Sequence, residues 1–470
     1  MEIEKLPIEF VNRMKEQLAE EAEAFFMSYS EPYVKSLRFR TGPGKLAFIK
    51  QESKVSWEPK GRYYSDDDEA PGKSPLHAAG AYYIQEASAM FPVTLLNIKG
   101  SMIVLDLCAA PGGKTTQIAD YMNGEGILVC NEIVPNRAKI LSENVERMGV
   151  TNAMVISHEP QSLVGKFPRF FDRILVDAPC SGEGMFRKHP ESRQEWSPEN
   201  VQICADRQDM ILDCASQMLA PGGLIVYSTC TFAPDEDEGS VERFLENHPD
   251  FVQLGKGHRI FPHKDRGEGH FAAVLAHKLY DPGVVVVTKE SKEPDNNKQK
   301  GKVNNRSAAK GGIVQADKVT LQIFHDFCKE NLTACKTLGV NNFENDKIPE
   351  NIEKRICMFG DRMFLVPVNM PDIMGMTVLR PGLHLGTIVK GRFEPAHAFA
   401  RAIEMPEAKR SIDFPSDSNE VRDYLKGMTI SYGGGKGWSL IGTDGWPLGW
   451  GKCNGGIIKN HYPKGLRVLG

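Results

Sequence analysis

Val104-Leu-Asp-Leu-Cys-Ala-Ala-Pro-Gly-Gly-Lys114 runs from an apolar segment into a glycine turn. That is the pattern of a buried strand feeding a helix through a ligand-binding loop. Outward from it, strand-like runs at 103–107, 127–130, 153–156, 173–176 and 224–228 alternate with helical patterns at 114–122, 136–148, 198–219 and 236–248. Such alternation predicts a parallel sheet covered on both faces. A last strand at 271–277 has no helix before it and is expected to add as an antiparallel edge.

The loop is not Gly-x-Gly-x-x-Gly, and it lacks the Gly-Lys-[Ser/Thr] ending of a phosphate loop. Gly112 and Gly113 let the backbone approach a ligand, and the next helix offers its N-terminus. Glu132 follows the second strand, where nucleoside-binding α/β folds place an acid on ribose hydroxyls. Two cofactors satisfy this pattern, a dinucleotide or a smaller nucleoside such as S-adenosylmethionine. Pro111 and Lys114 replace glycines that a pyrophosphate needs, which favours the smaller one.

Two of the ten cysteines follow apolar runs at strand ends, Cys180 in Asp177-Ala-Pro-Cys-Ser-Gly182 and Cys230 in Ser228-Thr-Cys-Thr231. The other eight read as small buried hydrophobes. Ligands of an open α/β sheet bind at the carboxyl ends of its strands, so both thiols are expected beside the cofactor loop. A free thiol is only a few per cent thiolate at neutral pH, and Lys114 is the candidate cation to lower it. A thiol, a carboxylic acid and a methyl donor together suit one chemistry. Carbon 5 of a pyrimidine accepts a methyl group once a thiolate has added to carbon 6, with an acid at ring nitrogen 3 stabilising the adduct. A second thiol assists release.

The 470 residues allow about three domains. The start, Met1-Glu-Ile-Glu-Lys-Leu-Pro-Ile8, has no basic and apolar signal pattern, and no apolar run is long enough to span a bilayer. A reducing, cytoplasmic setting with free thiols is therefore expected. No Cys-x-x-Cys pair occurs, so no metal site is expected. With a net charge of −4, any nucleic-acid surface must be a local patch. Residues 8–26 carry helical spacing, 34–50 read as strand with a Gly-Pro-Gly break at 42–44, and the charge run Asp66-Asp-Asp-Glu69 reads as a solvated loop. Residues 289–312 are polar and read as a flexible tether reaching about 25–29 Å. From Tyr424 onward, glycine turns separate short strands, and six Lys/Arg stand against one acid, Asp444. Trp438, Trp446 and Trp450 interleave with these cations, which fits RNA binding or an aromatic core.

The segments Asp106–Thr115, Asp177–Gly182 and Ser228–Thr231 together resemble the motif set of the NOL/NOP/Sun family of RNA cytosine-5 methyltransferases. Pro75-Leu-His77, Tyr82–Glu86 and Ser88-Ala-Met90 resemble that family's pre-core segment. Gly182–Lys188, Asp444–Gly451 and Lys459–Arg467 resemble its bacterial RsmF branch. The resemblance implies an α/β fold with a Rossmann-like S-adenosylmethionine methyltransferase core at 96–288 and an α+β N-terminal domain at 1–95. After the linker it implies a first C-terminal domain at 313–412 and a PUA-like β-rich domain at 413–470. It implies Cys230 as nucleophile, Cys180 as the thiol aiding release, Asp177 on the cytosine, Pro179 shaping the base pocket and Lys114 touching the reacting site. Cys108, Ala109, Ala110, Pro111, Gly112, Gly113, Lys114, Glu132, Arg137 and Asp177 are implied to line the S-adenosylmethionine pocket. The implied partner of this monomer is ribosomal RNA or the small ribosomal subunit near the decoding site. The core motifs equally suit transfer RNA, and a catalytically silent RNA-binding assembly factor is the alternative from another class. One departure is visible: the family's adenine-side Asp is replaced by Ser157-His-Glu-Pro160, with Glu159 as substitute. Arg187 and Lys188 are candidates for RNA phosphate.

Overall fold

In the computed structural model, residues 5–40, 53–65, 70–282, 312–433 and 435–467 are described. The Asp66–Glu69 run, the Gly-Pro-Gly break and almost all of the proposed tether lie outside them. The centre is a nine-stranded sheet. Its strands in chain order are β1 (Ile103–Asp106), β2 (Ile127–Asn131), β3 (Ala153–Ile156), β4 (Phe171–Asp177), β5 (Leu219–Thr229), β6 (Phe251–Gln253), β7 (His258–Ile260), β8 (His270–His277) and β9 (Val378–Arg380). The spatial order is β6-β8-β5-β4-β1-β2-β3-β9, with β7 also paired to β8. Strands β1 to β5 are mutually parallel, and β8 runs antiparallel to β5.

The strands read as continuous apolar runs because both faces are buried. Ile103, Leu105, Val129, Ile174, Val176 and Ile225 join one core, while Val104, Leu128, Val155, Leu175, Leu224 and Val226 join the core on the other face. Each such side chain contributes about 1.5–3 kcal/mol on leaving water. The covering helices are α1 (Gly113–Met122), α2 (Pro135–Arg147), α3 (Pro160–Val164), α4 (Pro198–Met218) and α5 (Glu238–Asn247). The chain passes from β1 to β2 and β3 on one side, then returns to β4 and β5 on the other. The switch point, where α/β sheets open a crevice, therefore lies between β1 and β4.

One expectation changes here. The last core strand is antiparallel as expected but is not an edge, because β6 pairs outside it. On the other side, β9 of the C-terminal part completes the sheet beside β3. Thr377 N–H donates to His158 Nε2 at 2.8 Å, and Ser157 N–H to Thr377 O at 3.1 Å. An open edge of the parallel sheet is thereby covered.

The N-terminal part packs helices 8–18 and 22–27 against Phe186, Trp196 and Phe232 of the catalytic core. It adds a four-stranded antiparallel sheet with strands at 36–39, 53–54, 61–63 and 82–84. Beyond residue 312 two further five-stranded sheets form. In the last one Trp438, Trp446 and Trp450 are 9, 3 and 2% exposed, so the tryptophans are core and leave the cations outside.

Candidate active site

The β1–α1 loop is built by its own hydrogen bonds. Gly112 sits at φ +115°, a backbone state that side chains rarely adopt, and so turns the chain into α1. Ala109 N–H donates to Asn131 O at 2.8 Å, and Asn131 Nδ2 donates to Leu107 O and His158 O at 3.2 and 2.9 Å. Arg137 Nη2 donates to Ala110 O at 2.9 Å, and Asn144 Nδ2 to Pro111 O at 2.9 Å. Asp106 is fully buried and accepts from Thr115 Oγ1 at 2.6 Å; burial pushes its carboxyl up to about 7.

Glu132 stands where the sequence predicts, past β2, and is 3% exposed. One of its oxygens accepts from Val134 N–H at 2.9 Å, and the other lies 3.4 Å from Arg137 Nη1. Asp177 closes β4. Its Oδ2 accepts from Lys114 Nζ at 2.8 Å, its Oδ1 from Ser228 Oγ at 2.9 Å, and His270 Nε2 lies 3.6 Å from Oδ1. Burial alone would raise the Asp177 carboxyl. The Lys114 ammonium and His270 outweigh it and hold the group well below the usual carboxylate range. Burial, then the Lys114 charge, lowers the His270 imidazole. The Lys114 ammonium therefore pairs with Asp177, which is held as a carboxylate, rather than standing as the cation for a thiol.

The parallel register sets Asp177 opposite Ser228, which brings the two thiol turns side by side. Cys180 Sγ and Cys230 Sγ are 3.4 Å apart, and Cys230 N–H donates to Cys180 Sγ at 3.3 Å. The Cys230 sulfur, together with burial, pushes the Cys180 thiol well above its ordinary value, so Cys180 holds its proton.

A cavity of about 500 Å³ unites these groups. Cys108, Ala110, Glu132, Arg137, Asp177, Pro179, Cys180 and Cys230 line it. Ala109, Pro111, Gly112, Gly113 and Lys114 are not among its walls: they shape the loop and Asp177 from behind. Glu159 does line it, as do Arg207, Met210 and Ile211 of α4. The α4 residues and His270 were not anticipated, because their approach depends on how helix and strand cross the sheet. The Cys-adjacent motifs carry no signal for them. Arg187 is no phosphate ligand, since its guanidinium is bidentate to Glu268 at 2.7 and 2.8 Å with 7% exposure.

The cavity is of nucleoside size. It offers a buried acid past β2, apolar walls from Leu107, Ile133 and Ile211, and a thiol pair at its far end. Among solved structures, a methyltransferase homologue protein from Pyrococcus horikoshii is 26% identical, with a TM-score of 0.50 over 57% of this chain and 94% of that one. NSun6 from Pyrococcus horikoshii is 21% identical and shares the fold, with a TM-score of 0.51 over 58% of this chain and 99% of that one. Fold and site together define a Rossmann-like methyltransferase with N-terminal and PUA-like C-terminal additions.

At the family level, residues 93–276 match 16S rRNA methyltransferase RsmB/F, and residues 6–87 match the N-terminal domain of 16S rRNA methyltransferase RsmF. Residues 327–403 match the RsmF rRNA methyltransferase first C-terminal domain, and 411–468 the methyltransferase RsmF PUA domain. Ribosomal RNA small subunit methyltransferase F of Vibrio vulnificus is 31% identical over 98% of this chain and 97% of that protein. The protein of the same name from Escherichia coli is 41% identical over 44% of each chain. The chain belongs to the RsmB/F family of 16S rRNA methyltransferases and is RsmF-like.

Proposed function

We propose that the protein methylates carbon 5 of a cytosine in small-subunit ribosomal RNA near the decoding site, with S-adenosylmethionine as cofactor. Glu132 and the β1–α1 loop would hold the cofactor, which supplies an electrophilic methyl group when bound. Cys230 Sγ adds to carbon 6 and forms the C–S bond; the carbon 5–carbon 6 π pair shifts through carbon 4 to ring nitrogen 3, which takes up the thiol proton, and carbon 5 becomes an enamine-like nucleophile. Asp177, held ionised by Lys114, accepts hydrogen bonds from the exocyclic amine and from ring nitrogen 3 once protonated. After methylation the carbon 5 proton leaves to a base, the C–S bond breaks, and the electron pair of that bond goes back to Cys230. The protonated Cys180 thiol is 3.4 Å away and protonates the departing sulfur. Reaching carbon 5 requires an unpaired or flipped-out base.

The observation carrying this reading is the pair of sulfurs 3.4 Å apart in one cavity with Asp177 and Glu132. The test is covalent trapping with ribosomal RNA isolated from a strain lacking the gene. Cys180→Ala should accumulate a protein–RNA adduct on a denaturing gel, and Cys230→Ala should give neither adduct nor methylation. An active Cys230→Ala enzyme sinks the mechanism. Bisulfite sequencing of ribosomal and transfer RNA from the deletion strain decides the substrate. Loss of a transfer-RNA mark with every ribosomal mark intact overturns the rRNA assignment.

A further inference from the structure

We propose that Glu236 is a positioning residue that holds Cys180 against Cys230 and so governs release of the covalent adduct. This inference rests on the thiol roles proposed above. Glu236 lies in the turn between β5 and α5, is fully buried, and does not line the cavity. Its Oε2 accepts from Ser181 N–H at 2.9 Å and from Gln208 Nε2 at 2.9 Å. Its Oε1 accepts from Ser181 Oγ, which lies 2.8 Å from Thr231 Oγ1. Gln208 Nε2 also donates to Pro179 O at 3.0 Å. The residues on both sides of Cys180 are therefore tied to Glu236, one directly and one through Gln208. Gln208 is itself fixed: Tyr227 OH donates to its Oε1 at 2.9 Å, and Ser240 Oγ at 3.2 Å.

The Cys230 turn has separate supports. Its carbonyl accepts from Gly184 N–H at 2.9 Å, Phe232 N–H donates to Glu183 Oε2 at 3.1 Å, and Thr229 pairs with Phe271 in the sheet. Ser181 Oγ–Thr231 Oγ1 links it to the Glu236 carboxylate, and Thr229 Oγ1 donates to the neighbouring Asp237. The two carboxylate oxygens together accept from Ser181 N–H, Ser181 Oγ and Gln208 Nε2, a donor set suited to an acceptor on both oxygens. Removing that acceptor leaves buried N–H groups unpaired and frees the Cys180 turn, while the attacking thiol stays in place.

Glu236→Gln keeps the volume but turns an N–H₂ group toward those donors. With ribosomal RNA from the deletion strain, the full-length variant should form adduct in the first turnover within about twofold of the unaltered rate. Its steady-state methylation should fall about tenfold or more, as a displacement near 1 Å does to a reacting group. Adduct should accumulate as it does in Cys180→Ala, and the double variant should accumulate no more than Cys180→Ala alone. Gln208→Leu, which cuts the tie to Pro179, should shift the same ratio less strongly and serves if Glu236→Gln fails to fold. Equal loss of adduct formation and turnover in these variants means a merely structural role and overturns the inference. So does the absence of adduct in Glu236→Gln when Cys180→Ala accumulates it. A Cys180→Ala enzyme that accumulates none overturns the thiol assignment itself.

Discussion

The carboxyl edge of the catalytic sheet and the C-terminal sheet treat their conspicuous residues in opposite ways. At the edge, Glu132, the Asp177–Cys180 turn and Cys230 come from three separate segments and converge on one cavity. In the C-terminal sheet, Trp438, Trp446 and Trp450 turn inward while Lys452 and Lys459 stay outside. A reactive residue just past a strand end escapes the two-faced burial of the sheet, whereas an aromatic residue within a strand is drawn into a core. Position relative to the strand separates chemistry from packing better than residue type does.

The sharpest break of this comparison is Asp177→Asn. It keeps shape but removes the charge that pairs with Lys114 at 2.8 Å. Loss of about 10³-fold in kcat/KM is expected, the scale of removing a positioned electrostatic group. Trp450→Phe, by contrast, should lower thermal stability and leave kcat within about threefold, as a change remote from the reacting atoms. Both are read by methyl incorporation into ribosomal RNA. An Asp177→Asn enzyme within tenfold of the unaltered one would remove the edge from the reaction.

Between these regions lies a junction that belongs to both. Glu146 of α2 meets Arg380 of β9, and its Oε1 is 2.9 Å from Nδ1 of His397, which follows the first of the two C-terminal sheets. His397 Nε2 also lies 3.0 Å from Leu448 O, so one imidazole touches the catalytic core and the last sheet. Arg380→Ala should cost about 3 kcal/mol of unfolding free energy, as breaking a buried pair does. Burial would raise the Glu146 carboxyl, but His397 and Arg380 outweigh it, so its folded value lies below the unfolded one. Its contribution is therefore full above about pH 4.3 and is lost as pH falls below that. Glu146→Gln should flatten the acid limb of a stability–pH curve; an unchanged limb assigns it to other carboxylates.

Much of this site was legible because its residues sit in contiguous motifs. Asp177 to Cys180 and Ser228 to Cys230 each occupy a strand end, and a parallel register suffices to join them. The β1–α1 loop and Glu132 were legible for the same reason. His270, Arg207 and the Glu236 cluster were not, since each joins the site across a long separation set by packing: Gln208 to Pro179 spans 29 residues and Ser181 to Glu236 spans 55. The docking of β9 was hidden as well. Val378-Leu-Arg380 is three residues long, and its hydrogen-bond partner β3 lies more than two hundred residues earlier. A polar run ahead of it suggested independence, but an edge strand can be supplied by any segment that returns to the sheet.

Glu132 gives a smaller effect confined to the cofactor end of the cavity. Glu132→Gln should weaken S-adenosylmethionine binding about tenfold, the cost of one charged hydrogen bond, measured by calorimetry without RNA. Adduct formation by the Cys180→Ala background should survive it, since attack at carbon 6 precedes methyl transfer. An equal loss of both would mean that Glu132 supports the whole edge rather than one ligand.

The smallest effect tests the other side of the comparison. Lys452 and Lys459 are directly opposed across neighbouring strands and both are exposed. Like charges in that register repel and destabilise a sheet unless an anion covers them. Lys452 Nζ also lies 5.1 Å from the Trp438 ring centroid, so the inward tryptophan orients a cation that points out. Lys452→Ala and Lys459→Ala should each weaken ribosomal RNA binding only a few-fold, about 1 kcal/mol, and reduce the salt slope of log K by about one. Trp438→Phe should leave that slope unchanged if the ring only packs and the ammonium is the group that meets phosphate. A slope that falls with Trp438→Phe but not with the lysines would show that the aromatic residues meet RNA after all, and the contrast between edge and sheet would no longer hold.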